Sequence, residues 1–319
     1  MSVNFKIILC IFFTYLFVNL NASPISKNNQ ELYDVPTKSL NNQHQALMSS
    51  NQSLDSLYRI TGGYRPSEHV VSIRRKNRFN AMLNKYFGSG HMCGGAILNS
   101  RVILTAAHCL KSVFKKDERP SSLEVVAKTP KRLNKTPVTQ VLTVSEVITH
   151  SEYSPKTNHN DIGILKLMED IIFDNKWADK IAQPNKPPIA ETSCTVLGWG
   201  KMYERGPMPN EVLYINVVIH KNSYCHLVFP DLSEKQICAG DAKHEQRDAC
   251  MGDSGSPLIC DDVVVGIVSF GHGCHQKHPT VYSDVFYYLD WIKENHGVTS
   301  YGSCSVIFFI FAMLSIFFL

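Results

Sequence analysis

Short apolar runs separated by turn residues dominate the chain between Ile60 and about His296. Ala96–Leu98, Val102–Leu104, Val141–Val144, Ile162–Leu167, Glu211–Ile219 and Val263–Phe270 alternate with Gly, Pro and Asn positions. Runs this short, rich in Val, Ile and Leu and bounded by turn formers, read as strands. A helix would need apolar positions at 3.6-residue spacing over a longer stretch. The spacing predicts an all-β sandwich or barrel, closed by one helix over Asp284–Asn295. No internal repeat or low-complexity tract interrupts it.

The two ends follow a different pattern. Lys6 precedes an uncharged, mostly apolar run from Ile7 to Leu20, and Ala22 offers a small residue for cleavage before Ser23. That run falls short of the roughly 20 apolar residues that span a hydrocarbon core, so residues 1–22 read as a secretory signal peptide. Secretion implies an oxidising compartment in which disulfides persist. Residues 23–59 are rich in Asn, Gln and Ser, hold no cysteine and show no period, and read as a pro-region. The last charged residue is Glu294, and Val306–Leu319 is apolar except for Ser315. Gly297, Ser300, Gly302 and Ser303 precede it. Three readings stay open for the tail 297–319: a GPI-attachment signal, a membrane anchor, or a loosely attached oily end.

Composition narrows the class of partner. The chain has 319 residues, 44% hydrophobic and 19% charged, which describes a globular protein. Its 32 basic and 28 acidic side chains leave a net charge of +4. That balance is too even for a nucleic-acid or acidic-membrane surface.

Three stretches carry candidate chemistry. Leu104-Thr-Ala-Ala-His108-Cys109 sets a histidine after a strand-like run. Asn160-Asp161-Ile-Gly-Ile-Leu-Lys-Leu167 sets a carboxylate before an apolar run. Cys250-Met-Gly-Asp253-Ser254-Gly-Ser-Pro257 sets a serine in a glycine turn. A serine hydroxyl is a poor nucleophile until a base takes its proton. Histidine suits that task near neutral pH, and a buried carboxylate holds its other ring nitrogen as the donor. With all three motifs in this order, residues 60–296 resemble a trypsin-like serine protease of the chymotrypsin family. The resemblance implies two packed antiparallel β-barrels, a C-terminal helix and an active site between the barrels. It also implies Ser254 as nucleophile, His108 as general base then acid, Asp161 as its orienting carboxylate, and the N–H groups of Gly252 and Ser254 as the oxyanion hole.

Arg59-Ile60-Thr61-Gly62-Gly63 resembles the family's activation site. Cleavage after Arg59 would free an ammonium on Ile60 that pairs with Asp253. By the same resemblance the disulfides are Cys93–Cys109, Cys194–Cys260, Cys225–Cys238 and Cys250–Cys274; spacing alone leaves 105 connectivities for eight cysteines. Cys10 and Cys304 fall in the signal peptide and the tail.

The resemblance makes Asp248, six residues before Ser254, the base of a substrate pocket that selects Lys and Arg. Ser269 and Phe270 form a wall, with Phe270 where the family usually has tryptophan, and Gly271 and Gly273 leave the mouth open. Thr280 replaces a glycine that lines the pocket in trypsins, which should reduce the usual arginine advantage. Asp248 satisfied by Thr280, with a small apolar residue preferred, is the competing reading. Ser256 replaces the second glycine of the usual Gly-Asp-Ser-Gly-Gly turn, and would be strained if it needed a positive φ. That departure and Phe270 in place of tryptophan keep open a non-catalytic, partner-binding homologue.

Asn51-Gln-Ser53 and Asn134-Lys-Thr136 fit glycosylation acceptors. His272, His275 and His278 read as solvated side chains, and no metal is expected there. The loop Lys111–Lys135 lacks the acidic pair of the calcium site of trypsins, so neither calcium nor any cofactor is expected. The implied partners are protein or peptide substrates, an activating trypsin-like protease and macromolecular inhibitors, with no nucleic acid and with membrane attachment only through the tail.

Overall fold

The computed structural model describes residues 66–76, 87–111, 116–174, 176–241, 248–274 and 278–297. The signal peptide, pro-region, Arg59–Ile60 junction, Asn51, His275 and residues 298–319 of the tail lie outside them. Among the described residues no helix is long and apolar enough to cross a membrane.

The apolar runs do form strands. In the first half these are β1 (Val70–Arg75), β2 (His91–Asn99), β3 (Val102–Thr105), β4 (Leu123–Ala127), β5 (Gln140–Thr149) and β6 (Gly163–Leu167). They close into an antiparallel barrel in the order β1-β2-β3-β6-β5-β4. The second half supplies β7 (Ser193–Gly198), β8 (Leu213–Ile219), β9 (Gln236–Gly240), β10 (Pro257–Cys260), β11 (Val263–Phe270) and β12 (Thr280–Asp284). These close in the order β10-β11-β12-β9-β8-β7. Closure leaves no free sheet edge, which is how a chain of short strands satisfies its backbone donors and acceptors.

Alternation explains which side chains fill each barrel. Along β5, Leu142 and Val144 are buried while Val141 and Ser145 face solvent. Ile73, Ile97, Ile103, Leu123 and Leu165 are fully buried in the first barrel. Their cluster runs on into Leu197, Ile259, Val264 and Ile267 of the second, so one apolar seam joins the two.

The helix α1 spans Asn222–Val228 and α2 spans Leu289–His296. The closing helix therefore begins later than the expected Asp284. Thr280–Asp284 is instead the strand β12, which pairs with both β11 and β9. Its β-branched and aromatic residues suit a buried strand, and Asp284 then turns the chain by accepting the Phe286 N–H at 2.9 Å. The structure pairs Cys93 with Cys109, Cys194 with Cys260, Cys225 with Cys238 and Cys250 with Cys274.

Candidate active site

Strand register brings the first two motifs together. β3 pairs with β6, with Thr105 opposite Gly163. The chain leaving β3 makes a 3-10 turn over Ala107–Leu110 that carries His108, and the chain entering β6 carries Asp161. Asn160, just before, adopts φ +54°, a conformation asparagine tolerates better than most residues. Its side chain is fixed at three points: Nδ2 donates to Glu152 O, while Oδ1 accepts from Lys235 Nζ and Tyr288 OH.

Asp161 is fully buried and richly partnered. Oδ2 lies 2.7 Å from His108 Nδ1, and Oδ1 accepts the His108 backbone N–H at 2.8 Å. From the second barrel, Ser269 Oγ donates to Oδ2 at 2.6 Å, and Ser283 Oγ donates to the Asp161 carbonyl at 2.7 Å. Both barrels thus orient this one carboxylate. Burial pulls the His108 pKa down, but the charge of Asp161 and its hydrogen bond outweigh burial and leave it above the ordinary histidine value. The Nε2 atom lies 3.7 Å from the Cys109 sulfur, a weak partner.

The serine motif forms the turn into β10. Gly252 and Gly255 adopt φ +105° and +78°, where an L side chain would be strained. Ser256 is not among the residues with positive φ, so the strain that its replacement of glycine would bring does not arise. Its Oγ is instead buried without a hydrogen-bond partner, pressed against Gly94. Gly94 N–H donates to Ser254 O at 2.9 Å, and a Cβ on Gly255 would run into Thr105 and Ala106. The serine turn therefore packs directly on the strand end that leads to His108. Asp253 Oδ1 accepts the Gly200 N–H at 2.7 Å and Oδ2 accepts the Cys250 N–H at 3.0 Å.

Beside Ser254 lies a cavity of about 210 Å³ lined by Ala249, Ser269, Phe270, Gly271, Gly273 and Thr280, among others. Among the described residues no charged side chain lines it. Asp248 stands behind Thr280, whose Oγ1 donates to Asp248 Oδ1 in a very short hydrogen bond. The Ala249 N–H also reaches Oδ1, at 2.7 Å. Burial raises the Asp248 pKa, those two bonds oppose it, and the net result is a carboxyl pushed up to about 7. The floor is thus a threonine backed by an acid.

His272, between Gly271 and Gly273, stacks on Phe229 with ring centres 4.7 Å apart, and His278 meets His272 edge-on at 5.3 Å.

Sequence reasoning missed Ser72 and His91. Ser72 Oγ lies 2.8 Å from His91 Nδ1, and His91 Nε2 lies 3.1 Å from Gly252 O. The available signals were a lone serine inside the apolar run Val70–Ile73 and a histidine two residues before Cys93.

Two closed antiparallel barrels, with a histidine held by a buried aspartate and a serine on a glycine turn between them, define the class: a serine endopeptidase of chymotrypsin-like fold. The Trypsin family model matches residues 69–292, and the chain belongs to that family. It is 34% identical over 239 residues to trypsin II-P29 of Gallus gallus, covering 74% of this chain and 88% of that protein. It is 30% identical over 245 residues to serine protease 1 of Homo sapiens, covering 76% and 91%. Chymotrypsin-2 of Vespa crabro is 35% identical over 210 residues, covering 64% and 89%. The solved structure of neuropsin, a serine protease expressed in the limbic system of mouse brain, superposes with a TM-score of 0.62 at 26% identity, covering 73% of this chain and 96% of that one.

Proposed function

We propose that the protein is a secreted endopeptidase, made as a zymogen, that cleaves after Lys and Arg through Ser254, His108 and Asp161. The observation that carries this reading is the His108–Asp161 pair, 2.7 Å apart, held by donors from both barrels beside the serine turn. Asp161 keeps the His108 proton on Nδ1, so Nε2 is free to take the Ser254 proton as Oγ attacks the scissile carbonyl. The carbonyl oxygen, now negative, is held by the N–H groups of Gly252 and Ser254. His108 returns the proton to the leaving amine, and water repeats the sequence to release the acid.

Activation follows from cleavage after Arg59. A mostly apolar cavity of about 60 Å³, lined by Leu197, Met202, Leu213 and Ile215 with Lys201, Asp248 and Asp253 also in its wall, suits the side chain of a new Ile60 terminus. The Ile60 ammonium would then reach the Asp253 carboxylate. Residues 1–22 and 23–59 act as signal peptide and activation peptide, and four disulfides suit an oxidising exterior. The tail 297–319 governs whether the mature form stays at the cell surface.

In the pocket, Thr280 commits its hydroxyl proton to Asp248, which leaves its oxygen as an acceptor at the cavity floor. A lysine ammonium, a compact donor, fits that single acceptor and the charge behind it. An arginine needs two coplanar acceptors for its fork. Lysine should therefore gain on arginine relative to a glycine-floored pocket. Of the two departures behind the non-catalytic alternative, Ser256 has no positive φ to strain it, and Phe270 still lines the cavity with an aromatic ring.

Active-site titration tests the whole reading. Protein cleaved after Arg59 should give a stoichiometric acyl-enzyme burst that Ser254→Ala abolishes. No burst from the cleaved wild type would overturn it.

A further inference from the structure

Two arginines are buried in the first barrel next to the serine turn. Arg74 is 1% exposed and Arg132 is 9% exposed. A buried guanidinium is costly, and Arg132 lies close enough to disfavour the Arg74 charge, which Glu124 favours. Burial is the largest cause; it outweighs the Glu124 charge and, with the Arg132 charge added, brings the Arg74 pKa down to about 10. What they bond to is backbone and a serine. Arg74 Nη2 donates to Arg132 O at 3.0 Å and Nε donates to Ser72 Oγ at 3.1 Å. Arg132 donates through Nε to Pro209 O, through Nη1 to Gly88 O and through Nη2 to Met208 O.

The direction of these bonds is fixed by chemistry. An arginine N–H can only donate, so Ser72 Oγ must accept from Arg74. The Ser72 hydroxyl proton is then available to His91 Nδ1, 2.8 Å away. With Nδ1 accepting, the neutral ring carries its proton on Nε2, which points at Gly252 O from 3.1 Å. Burial, with the nearby Arg132 and Arg74 charges adding to it and the Gly252 bond opposing, keeps the His91 pKa down at about 4. His91 is therefore a neutral donor to Gly252 at working pH. Arg132 closes on the same glycine from its other side. It anchors the carbonyl of Met208, whose terminal methyl would lie 3.0 Å from a Cβ on Gly252. Gly252 has φ +105° and no side chain of its own to hold it there.

We infer that Arg74 is a positioning residue for the oxyanion hole, acting through Ser72 and His91 on the Gly252 carbonyl. The inference rests on the peptidase reading only for its kinetic test. A polarised chain of donors is stiffer than a pair of independent bonds, because each member sets the proton of the next. Loss of the first donor frees the Ser72 hydroxyl to rotate and lets His91 exchange tautomers, so the Gly252 peptide loses its fixed orientation.

The test uses the full-length protein after activation cleavage, as Arg74→Met, Arg74→Lys, Ser72→Ala and the Arg74→Met/Ser72→Ala double variant. Three quantities are read on each: kcat and KM for one peptide amide, affinity for a peptide boronate, and affinity for a simple alkylamine. The boronate forms a tetrahedral adduct on Ser254 and loads the oxyanion hole, whereas the amine fills only the side-chain pocket. In Arg74→Met and Ser72→Ala, kcat and boronate affinity should fall together by about tenfold, less than the loss of an oxyanion donor itself. KM and amine affinity should stay within about twofold. The double variant should fall no further than either single one, and Arg74→Lys should recover part of the loss because lysine still donates. Nitrogen-15 spectra should place the His91 proton on Nε2 in the wild type and show mixed tautomers in Arg74→Met. Equal losses of boronate and amine binding, additive losses in the double variant, or an unchanged kcat with only a lower Tm would each overturn the inference. The tautomer measurement needs no turnover, so it separates failure here from failure of the peptidase reading.

Discussion

The pocket floor makes a pH-dependent prediction that the triad alone does not. Asp248 lies behind Thr280 with its pKa pushed up to about 7, burial being the largest cause. Below that pH the carboxyl is neutral and the floor cannot attract a cation. Above it the charge appears, transmitted to the cavity through the Thr280 hydroxyl. The selectivity for lysine over its uncharged near-isostere norleucine should therefore climb between pH 6 and pH 8. For one group titrating near 7 the ionised fraction changes about tenfold over that range, and the ratio of kcat/KM values should change by about as much. Both substrates share the same His108 titration, so the ratio cancels it. The sign also holds for stability. A carboxyl whose folded pKa is raised binds a proton in the native state that the unfolded chain has already lost, so its burial destabilises the fold increasingly as pH rises from about 4 to about 7.

Thr280→Gly separates the two functions of the threonine. Glycine removes the methyl and hydroxyl that screen Asp248 and lets both carboxylate oxygens meet a guanidinium fork. A charge-assisted hydrogen bond contributes about 1.5–3 kcal/mol, so the arginine-to-lysine ratio should rise at least about tenfold in the variant. The assay is kcat/KM at pH 6, 7, 8 and 9 for matched peptides carrying Lys, Arg, norleucine and Phe before the scissile bond. A lysine-to-norleucine ratio that is flat across this range, or a wild-type preference for Phe, would refute the reasoning and make Asp248 a buried structural acid.

Half of the strands were legible, because the named apolar runs became β2, β3, β5, β6, β8 and β11; β9 and β12, QICAG and TVYSD, have no such run and are made strands by barrel closure. The His108–Asp161 contact was legible for a related reason: each residue sits at a strand end whose turn residues are visible. Contacts across the barrels were not legible. Nothing in the local sequence of Ser269 or Ser283 tells that both reach across from the second barrel to Asp161, because a strand's partners are set by barrel closure. Arg74 was hidden more thoroughly. A charged residue at the end of Val70–Arg75 reads as the solvated end of a strand, yet its neighbours bury it completely. The same limit applied to Thr280, where sequence placed the hydroxyl near Asp248 but could not say which of the two faces the cavity.

Other consequences are sharp enough to measure. Arg59→Gln should yield a secreted, folded precursor without peptidase activity, and full activity from the uncut variant would remove the zymogen reading. Ser269→Ala strips a 2.6 Å donor from the buried Asp161 carboxylate, and should lower stability by about 1.5–3 kcal/mol in urea unfolding while reducing kcat. Ser256→Ala should act in the opposite direction. The Ser256 hydroxyl is buried without a hydrogen-bond partner and pressed against Gly94, so it bears a desolvation cost that nothing in the protein offsets. Alanine keeps the Cβ and the backbone, which has no positive φ at this position, and removes only the oxygen. Such a deletion should stabilise the fold by about 1 kcal/mol, the lower end of the cost of an unsatisfied buried group. In a domain of this size that raises Tm by about 2–4 °C. Because Ser256 N–H bonds Asp253 O and its carbonyl accepts the Val268 N–H through backbone alone, kcat should not change. A lower Tm in Ser256→Ala would mean that the hydroxyl has a partner after all, and that this glycine-to-serine exchange was selected for a bond rather than tolerated as a cost.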